Sequence, residues 1–536
     1  MQGLMMNYPL TLNHILERAG KFYPGGEIVS RLSDRSLHRY TYADFYRRAR
    51  ALAEALQRAG LQRGDRVGTL MWNHYAHLEA YFGIPAAGGV VHTLNLRLGA
   101  PDLAYIVNHA QDRFLIVDDT LLPLYEKIRH AVRFERVFVV SLAGCALGQG
   151  CESYEQFLEQ AQGDFHYPDL GENEAAAMCY TSGTTGSPKG ILYSHRGLFL
   201  HSMMGALPDQ MAYTQRDVMM PIVPMFHVNA WGMPFGAVLV GCKVVFPGPH
   251  MDAESILELL ENERVTVTAG VPTIWFKVVE ALESHPGRWK LAPDIRVLVG
   301  GAAPPETLIR KMDQYGLRLI QGWGLTESAP LATMSTLKAH MQGMAEDDRY
   351  RIRAKAGVAA PLVDLRAVNE NGEVPWDGET MGEVQLRGPW IASSYYQLPE
   401  EKDKWTEDGW FRTGDVGTLD AEGYLKITDR TKDLIKSGGE WISSVDVENA
   451  IVAHPEVREA AVIAVPHPRW QERPFALVVL KDGAKVTPED LRGFLEARFA
   501  RWQLPDAIVF VDQLPHTTTG KLLKRELRQQ YQDWKW

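Results

Sequence analysis

Between residues 180 and 190 the chain reads Tyr180-Thr181-Ser182-Gly183-Thr184-Thr185-Gly186-Ser187-Pro188-Lys189-Gly190. Small hydroxylated residues stand beside Gly183 and Gly186, which allow the backbone to turn tightly. A lysine follows. Such a run can wrap a polyphosphate with backbone N–H groups, hydroxyls and one point charge. It differs from the phosphate loop of pattern Gly-x-x-x-x-Gly-Lys-Ser/Thr, because Lys189 lies three residues after Gly186 and is followed by Gly190. Stretches rich in serine, threonine and glycine are usually solvated linkers. The length of this one and the ordering of its chemistry set it apart.

Further strings recur downstream. They are Gln321-Gly322-Trp323-Gly324-Leu325-Thr326-Glu327, Gly409-Trp410-Phe411-Arg412-Thr413-Gly414-Asp415 and Asp429-Arg430-Thr431-Lys432-Asp433. Ser437-Gly438-Gly439-Glu440-Trp441-Ile442-Ser443 and Thr519-Gly520-Lys521 follow. Each alone is weak. In this order, and with the 180–190 run, they resemble the adenylate-forming enzymes: acyl-CoA synthetases, luciferases and peptide-synthetase adenylation domains. The fatty-acyl-CoA synthetase branch, with medium- and long-chain members, is the nearest resemblance.

That resemblance implies a reaction. A carboxylate attacks the α-phosphate of ATP, pyrophosphate leaves, and a thiol then displaces AMP from the acyl adenylate. Two anions meet in the first step, so cations must stand where charge builds up. The expected partners are a fatty acid or related carboxylic acid, ATP, Mg2+ and coenzyme A. By resemblance, Thr181, Ser182, Gly183, Thr185, Gly186 and Lys189 surround the phosphates. Thr184 and Glu327 offer the hard oxygen ligands that suit magnesium. Gln321, Gly322 and Trp323 belong to the adenine motif, in which the family more often has tyrosine at the Trp323 position. Thr326 touches the α-phosphate. Gly301 and Ala302, with Gly300, let the backbone approach the nucleotide. Asp415 takes the ribose hydroxyls, with Arg430 on the same sugar. Lys521, on a loop tip, neutralises charge in the first half-reaction. Lys432 marks a hinge, about which Lys436 and Trp441 are presented. Ser437, Gly438 and Gly439 line the path of the CoA thiol.

The acyl end rests on Phe226-His227-Val228-Asn229-Ala230-Trp231-Gly232, which resembles the fatty-acyl branch. His227 and Val228 are expected at the substrate, and Trp231 as the gate of an acyl tunnel; a core tryptophan is the alternative. Gly232, Gly236 and Gly241 are expected to leave space along the next helix; a small-residue helix packing interface is the alternative. Two other activities keep the fold: ligation of a short substituted acid, methylthiopropionate-like, or of an aryl acid. A nucleotide-binding regulator without catalysis is a different class, and Lys521, Glu327 and Asp415 argue against it. A peptide-synthetase domain is disfavoured because no carrier domain follows Trp536.

These residues need a large frame. With 536 residues the chain exceeds one ordinary core. Apolar content of 46% and charged content of 23% fit a globular protein, and a net charge of −10 argues against nucleic acid as a partner. Positive charge for ATP and CoA must therefore be local. Cys145, Cys151, Cys179 and Cys242 match neither a zinc site nor a disulfide framework, which suits a cytoplasmic protein. No signal-peptide pattern opens the chain, and Pro234 to Phe246 is too interrupted to span a bilayer. A homodimer is expected by family analogy alone.

Strands alternating with helices predict an α/β fold, a large N-terminal domain of helix-covered sheets. Thr41 and Asp44 cap a helix to about Ala59, stopped by Gly60. Strands are expected at Arg66 to Met71, Arg113 to Val117, Val265 to Val271 and Ile295 to Val299, with a helix from His74. After about residue 360, frequent turns predict a β-rich subdomain. Ser443 caps a helix, strands follow at Ala460 to Val465 and Phe475 to Leu480, and Thr487 to Asp490 opens another helix. These make a small α+β C-terminal domain, mobile by resemblance. The expected domains are 1–429 and 430–536.

Overall fold

Local signals set the first elements. Thr41 and Asp44 bond reciprocally across the opening turn of the helix Tyr42–Arg58, and Gly60 follows at φ 87°. Phe45, Ala49, Leu52 and Leu56 form its buried face. His74 caps the helix Tyr75–Ala86, whose residues are all buried. A helix that is apolar all round belongs inside a large core. Phe82 of this helix meets Phe45 and Phe235 edge-on, each with ring centroids 5.5 Å apart.

The structure is a computed structural model that describes residues 1, 3–181, 187–430, 432–437, 440–516 and 522–536. Among these, one seven-stranded sheet runs Glu152–Ser153, Arg136–Val140, Asp112–Asp118, Arg66–Leu70, Val90–Thr93, Ala175–Tyr180 and Gly190–Ser194. Its strands pair in parallel except the last, which runs antiparallel to Ala175–Tyr180. Tyr180 faces Gly190 across that pair, so the hydroxyl-rich run joins the two strands.

A nine-stranded sheet has Ile295–Val299 between Val267–Gly270 and Leu317–Gly324, all parallel. Leu331–Met334 turns back antiparallel on the end of Leu317–Gly324. The carboxyl ends of parallel strands are where open α/β sheets take ligands, and Gly300–Ala302 and Trp323–Glu327 lie at two such ends.

The turn-rich region after residue 360 forms an antiparallel five-stranded sheet including Gly382–Arg387, Phe411–Leu419 and Leu425–Arg430. The last hundred residues form another sheet, built mainly of Val457–His467 and Gln471–Leu480, with helices Ser444–Val452, Pro488–Glu496 and Lys524–Tyr531. Ser443 caps the first of these, and Thr487 with Asp490 forms a capping box on the second. The observed strands run longer than the apolar patterns alone, because pairing continues through Arg473 and His467. The fold is thus a large α/β N-terminal part with a smaller α+β C-terminal part.

Candidate active site

Asp415 and Arg430 face one another on adjacent strands. Arg430 Nε lies 3.4 Å from Asp415 Oδ1, while Trp323 Nε1 donates to Asp415 Oδ2 at 3.0 Å. Three expected nucleotide residues from three separate strings therefore meet at one buried carboxylate. Gly414, just before it, adopts φ 74°, a left-handed conformation that favours glycine. Gly301 does likewise at φ 81°.

Close backbone approach explains other glycines of the motif. A Cβ on Gly324 would lie 1.8 Å from the Pro330 carbonyl oxygen, and one on Gly322 would lie 2.7 Å from Leu331 Cδ1. Gln321 turns its side-chain amide nitrogen to the carbonyls of Ala354 and Lys355, at 3.0 and 3.1 Å, so it braces the strand end. Thr326 accepts through its carbonyl from the Tyr193 hydroxyl at 2.8 Å.

Glu327 is buried, and its Oε1 accepts from the Tyr395 hydroxyl at 2.6 Å. Burial and then Glu327 hold the Tyr395 phenol above its ordinary range. Lys189 lies 5.0 Å over the Tyr395 ring. Thr181 and Lys189 close the base of the run: Thr181 N donates to Lys189 O at 2.9 Å and Lys189 N to Thr181 Oγ1 at 3.1 Å. Ser182, Gly183, Thr184, Thr185 and Gly186 lie outside the described residues, as do Gly438, Gly439, Lys521 and the Thr519-Gly520 pair before it. His516 and Leu522, which flank that last tract, form an antiparallel bridge.

Lys432 is exposed, and Ser437 is buried with Arg473 Nη1 donating to its hydroxyl at 2.8 Å. Lys436 pairs across a hairpin with Trp441, its Nζ 4.8 Å above the indole. Just before Lys432 in the chain, Asp429 accepts from Ser444 N at 2.6 Å, and buried Lys524 lies 2.7 Å from Glu448. Burial pushes the Glu448 carboxyl up, to about 7, while Lys524 beside it pulls the other way.

Around the 226–232 string the backbone is unusual. Val228, Asn229, Ala230, Trp231 and Gly232 have φ of 38°, 55°, 49°, 55° and 74°. This is one turn of left-handed helix, costing L-residues roughly 1–2 kcal/mol each. Trp231 is buried, and a Cβ on Gly300 would lie 3.2 Å from its Cη2. His227 joins Thr181, Tyr180, Thr93 and Phe226 on the wall of one cleft. The space expected beside the glycines is filled. A Cβ at Gly232 would meet His201 Nδ1 at 2.7 Å, one at Gly236 the Tyr213 ring at 3.0 Å, and one at Gly241 Tyr23 Cδ2 at 2.0 Å. Rings from other elements occupy these slots, so the glycines serve close packing here.

Tyr395, Tyr193, Tyr213 and His201 carry no sequence pattern that marks them. Tyr395 lies 68 residues from Glu327 in the chain, and only the fold joins them.

An AMP-binding enzyme model matches residues 16–396, and an AMP-binding enzyme C-terminal domain model matches 446–521. The chain therefore belongs to the AMP-binding enzyme family. It is 49% identical over 533 residues to a long-chain-fatty-acid–CoA ligase of Thermus thermophilus, covering 99% of this chain and 97% of that one. A 3-methylmercaptopropionyl-CoA ligase of Ruegeria lacuscaerulensis is 43% identical, with 99% of each chain covered. The crystal structure of ATP-bound MatB from Rhodopseudomonas palustris superposes with a TM-score of 0.83 at 27% identity, covering 98% of this chain and 99% of that one. Among the described residues no helix is long and apolar enough to cross a membrane.

Proposed function

We propose that this chain is an ATP-dependent fatty acid–CoA ligase, forming an acyl adenylate and pyrophosphate and then acyl-CoA and AMP. The observation that carries the reading is the convergence of Trp323 and Arg430 on the Asp415 carboxylate, in a chain 49% identical to a fatty-acid ligase. Asp415 would exchange these bonds for the ribose hydroxyls, and Trp323 would offer a flat apolar face to adenine. Thr326 and Lys189 would meet the phosphates, with Thr181, Ser182, Gly183, Thr185 and Gly186. Glu327 and Thr184 would hold Mg2+, which when bound neutralises phosphate charge. The buried Glu327 carboxylate, held by one phenol, suits a hard cation that keeps most of its waters.

Lys521 would serve the first half-reaction. Rotation of 430–536 against 1–429 about Lys432 would then bring Lys436, Trp441 and the Ser437, Gly438 and Gly439 segment to the thiol. A cytoplasmic homodimer is part of the same proposal, by family analogy.

A second reading, a short or medium acid, is favoured by one observation. Tyr213 is wedged where both Gly205 and Gly236 leave room, with Cβ positions there 2.6 and 3.0 Å from its ring. Pyrophosphate release measured over acids of increasing length tests both readings. A long-chain optimum supports an open tunnel; an early fall in rate beyond medium length supports the Tyr213 stop. Activity with aryl acids alone would overturn both.

A further inference from the structure

Lys189 is already engaged. Its Nζ lies 2.6 Å from Glu401 Oε1, with the lysine side chain 18% exposed and the glutamate 30%. Glu401 sits in the short 3-10 turn Pro399–Lys404, where its N–H bonds the Leu398 carbonyl at 3.1 Å.

The segment leading to this turn is fastened to both halves of the candidate phosphate site. Ala392 N donates to Glu327 O at 2.8 Å, and Tyr396 N to Gly190 O at 2.9 Å. Trp405 Nε1 donates to Ala392 O at 2.6 Å and packs edge-on against Tyr395, ring centroids 5.2 Å apart. Between these anchors, the Tyr395 hydroxyl reaches Glu327 while its ring face lies under Lys189. The Glu401 carboxylate is therefore placed by fixed backbone and does not reach Lys189 by chance of a long surface side chain.

A carboxylate and a phosphate oxygen compete for the same ammonium. We propose that Glu401 is an internal counter-ion of Lys189, which the phosphates of the nucleotide must displace and which recaptures the lysine as pyrophosphate departs. This rests on the reading of the 180–190 run as the ATP phosphate site. Two consequences follow. Glu401 weakens nucleotide binding, because a pair must break before the new one forms. It also opposes retention of pyrophosphate, so it favours product release. Tyr395 keeps the lysine over its ring in either state and links that choice to Glu327.

The test uses the full chain with magnesium, without acid or CoA for the ATP titration and with both present where turnover is measured. Calorimetric titration gives the Kd for ATP, and inhibition of turnover gives the constant for inorganic pyrophosphate. Glu401→Gln should lower both by about two- to fivefold, the worth of a partly exposed ion pair. Glu401→Ala should shift them in the same direction. Lys189→Ala should weaken ATP binding, and adding Glu401→Gln to it should change nothing further. Loss of a merely structural contact would weaken binding, so tighter binding is the distinguishing result. Unchanged or weaker binding in both Glu401 variants, with Lys189→Ala also weakened, would overturn the counter-ion. Wild-type affinity in Lys189→Ala would instead overturn the phosphate-site reading.

Discussion

Around Asp415 the polar side chains already hold one another: Trp323 donates to one carboxylate oxygen and Arg430 faces the other. Glu327 is held by Tyr395. Around Trp231 the means are different. The backbone takes a left-handed turn, aromatic rings fill slots left by glycines, and the buried His201 Nε2 has no hydrogen-bond partner among the described residues. The first region is arranged before any ligand arrives, which suits an end that binds the same nucleotide every turnover. The second is held by packing and carries backbone strain, which clusters where structures must change. Specificity for the acid would thus be set by which rings yield.

The sharpest break in this contrast would come at the nucleotide end. Lys521→Ala should remove most adenylation, at about 3–4 kcal/mol of transition-state stabilisation, and leave thioester formation from supplied acyl adenylate largely intact. Equal loss in both half-reactions would sink the two-pose account.

The packed region should be the more acid-sensitive. Burial pushes His201, beside Gly232, down to about 4; elsewhere in the core it pushes His195 to about 4 and His77 to about 3. Each is neutral in the folded state and takes up a proton more readily when unfolded. Their stability is therefore fully present above about pH 6.5 and is lost as pH falls toward 4. His201→Leu should recover up to about 3 kcal/mol at pH 4, seen as a flatter fall of Tm with acidification. An unchanged slope would show that His201 is not held neutral.

Tyr213→Leu tests the second reading of the acid directly. Opening the slot between Gly205 and Gly236 should move the preference toward acids longer by two or three methylenes, each worth roughly 0.8 kcal/mol. A companion Trp231→Ala should alter the fatty-acid KM while sparing ATP affinity. A drop in Tm with the same length profile would make both rings plain core.

The smallest effect is expected at Tyr395. Tyr395→Phe keeps the ring under Lys189 and removes the bond to Glu327. The magnesium concentration for half-maximal rate should rise about tenfold, the low end for losing a ligand's supporting hydrogen bond. Glu327→Gln should raise it further. Unchanged magnesium dependence in both variants would remove Glu327 from the metal.

The meeting of Trp323 with Asp415 was legible because both sit in compact strings that carry a glycine whose φ or close approach is forced, Gly324 in one and Gly414 in the other. Helix starts were legible from caps: Thr41, Ser443 and Thr487 all accept from the backbone as expected. What escaped were partners distant in the chain. Nothing near Tyr395 signals Glu327, and nothing near Tyr213 signals that it fills the space beside Gly236. Of the two readings of those glycines, the packing interface fits the filled slots; the sequence left the choice open because a missing side chain marks room without saying what occupies it.

Acid-dependent exchange of labelled pyrophosphate into ATP, run without CoA, tests the central claim most directly. The account predicts exchange only when a fatty acid is present, abolished in Asp415→Ala and Lys521→Ala, with acyl-CoA formed once CoA is added. ATP binding without exchange for any acid would contradict it, and would leave a nucleotide-binding protein without catalysis.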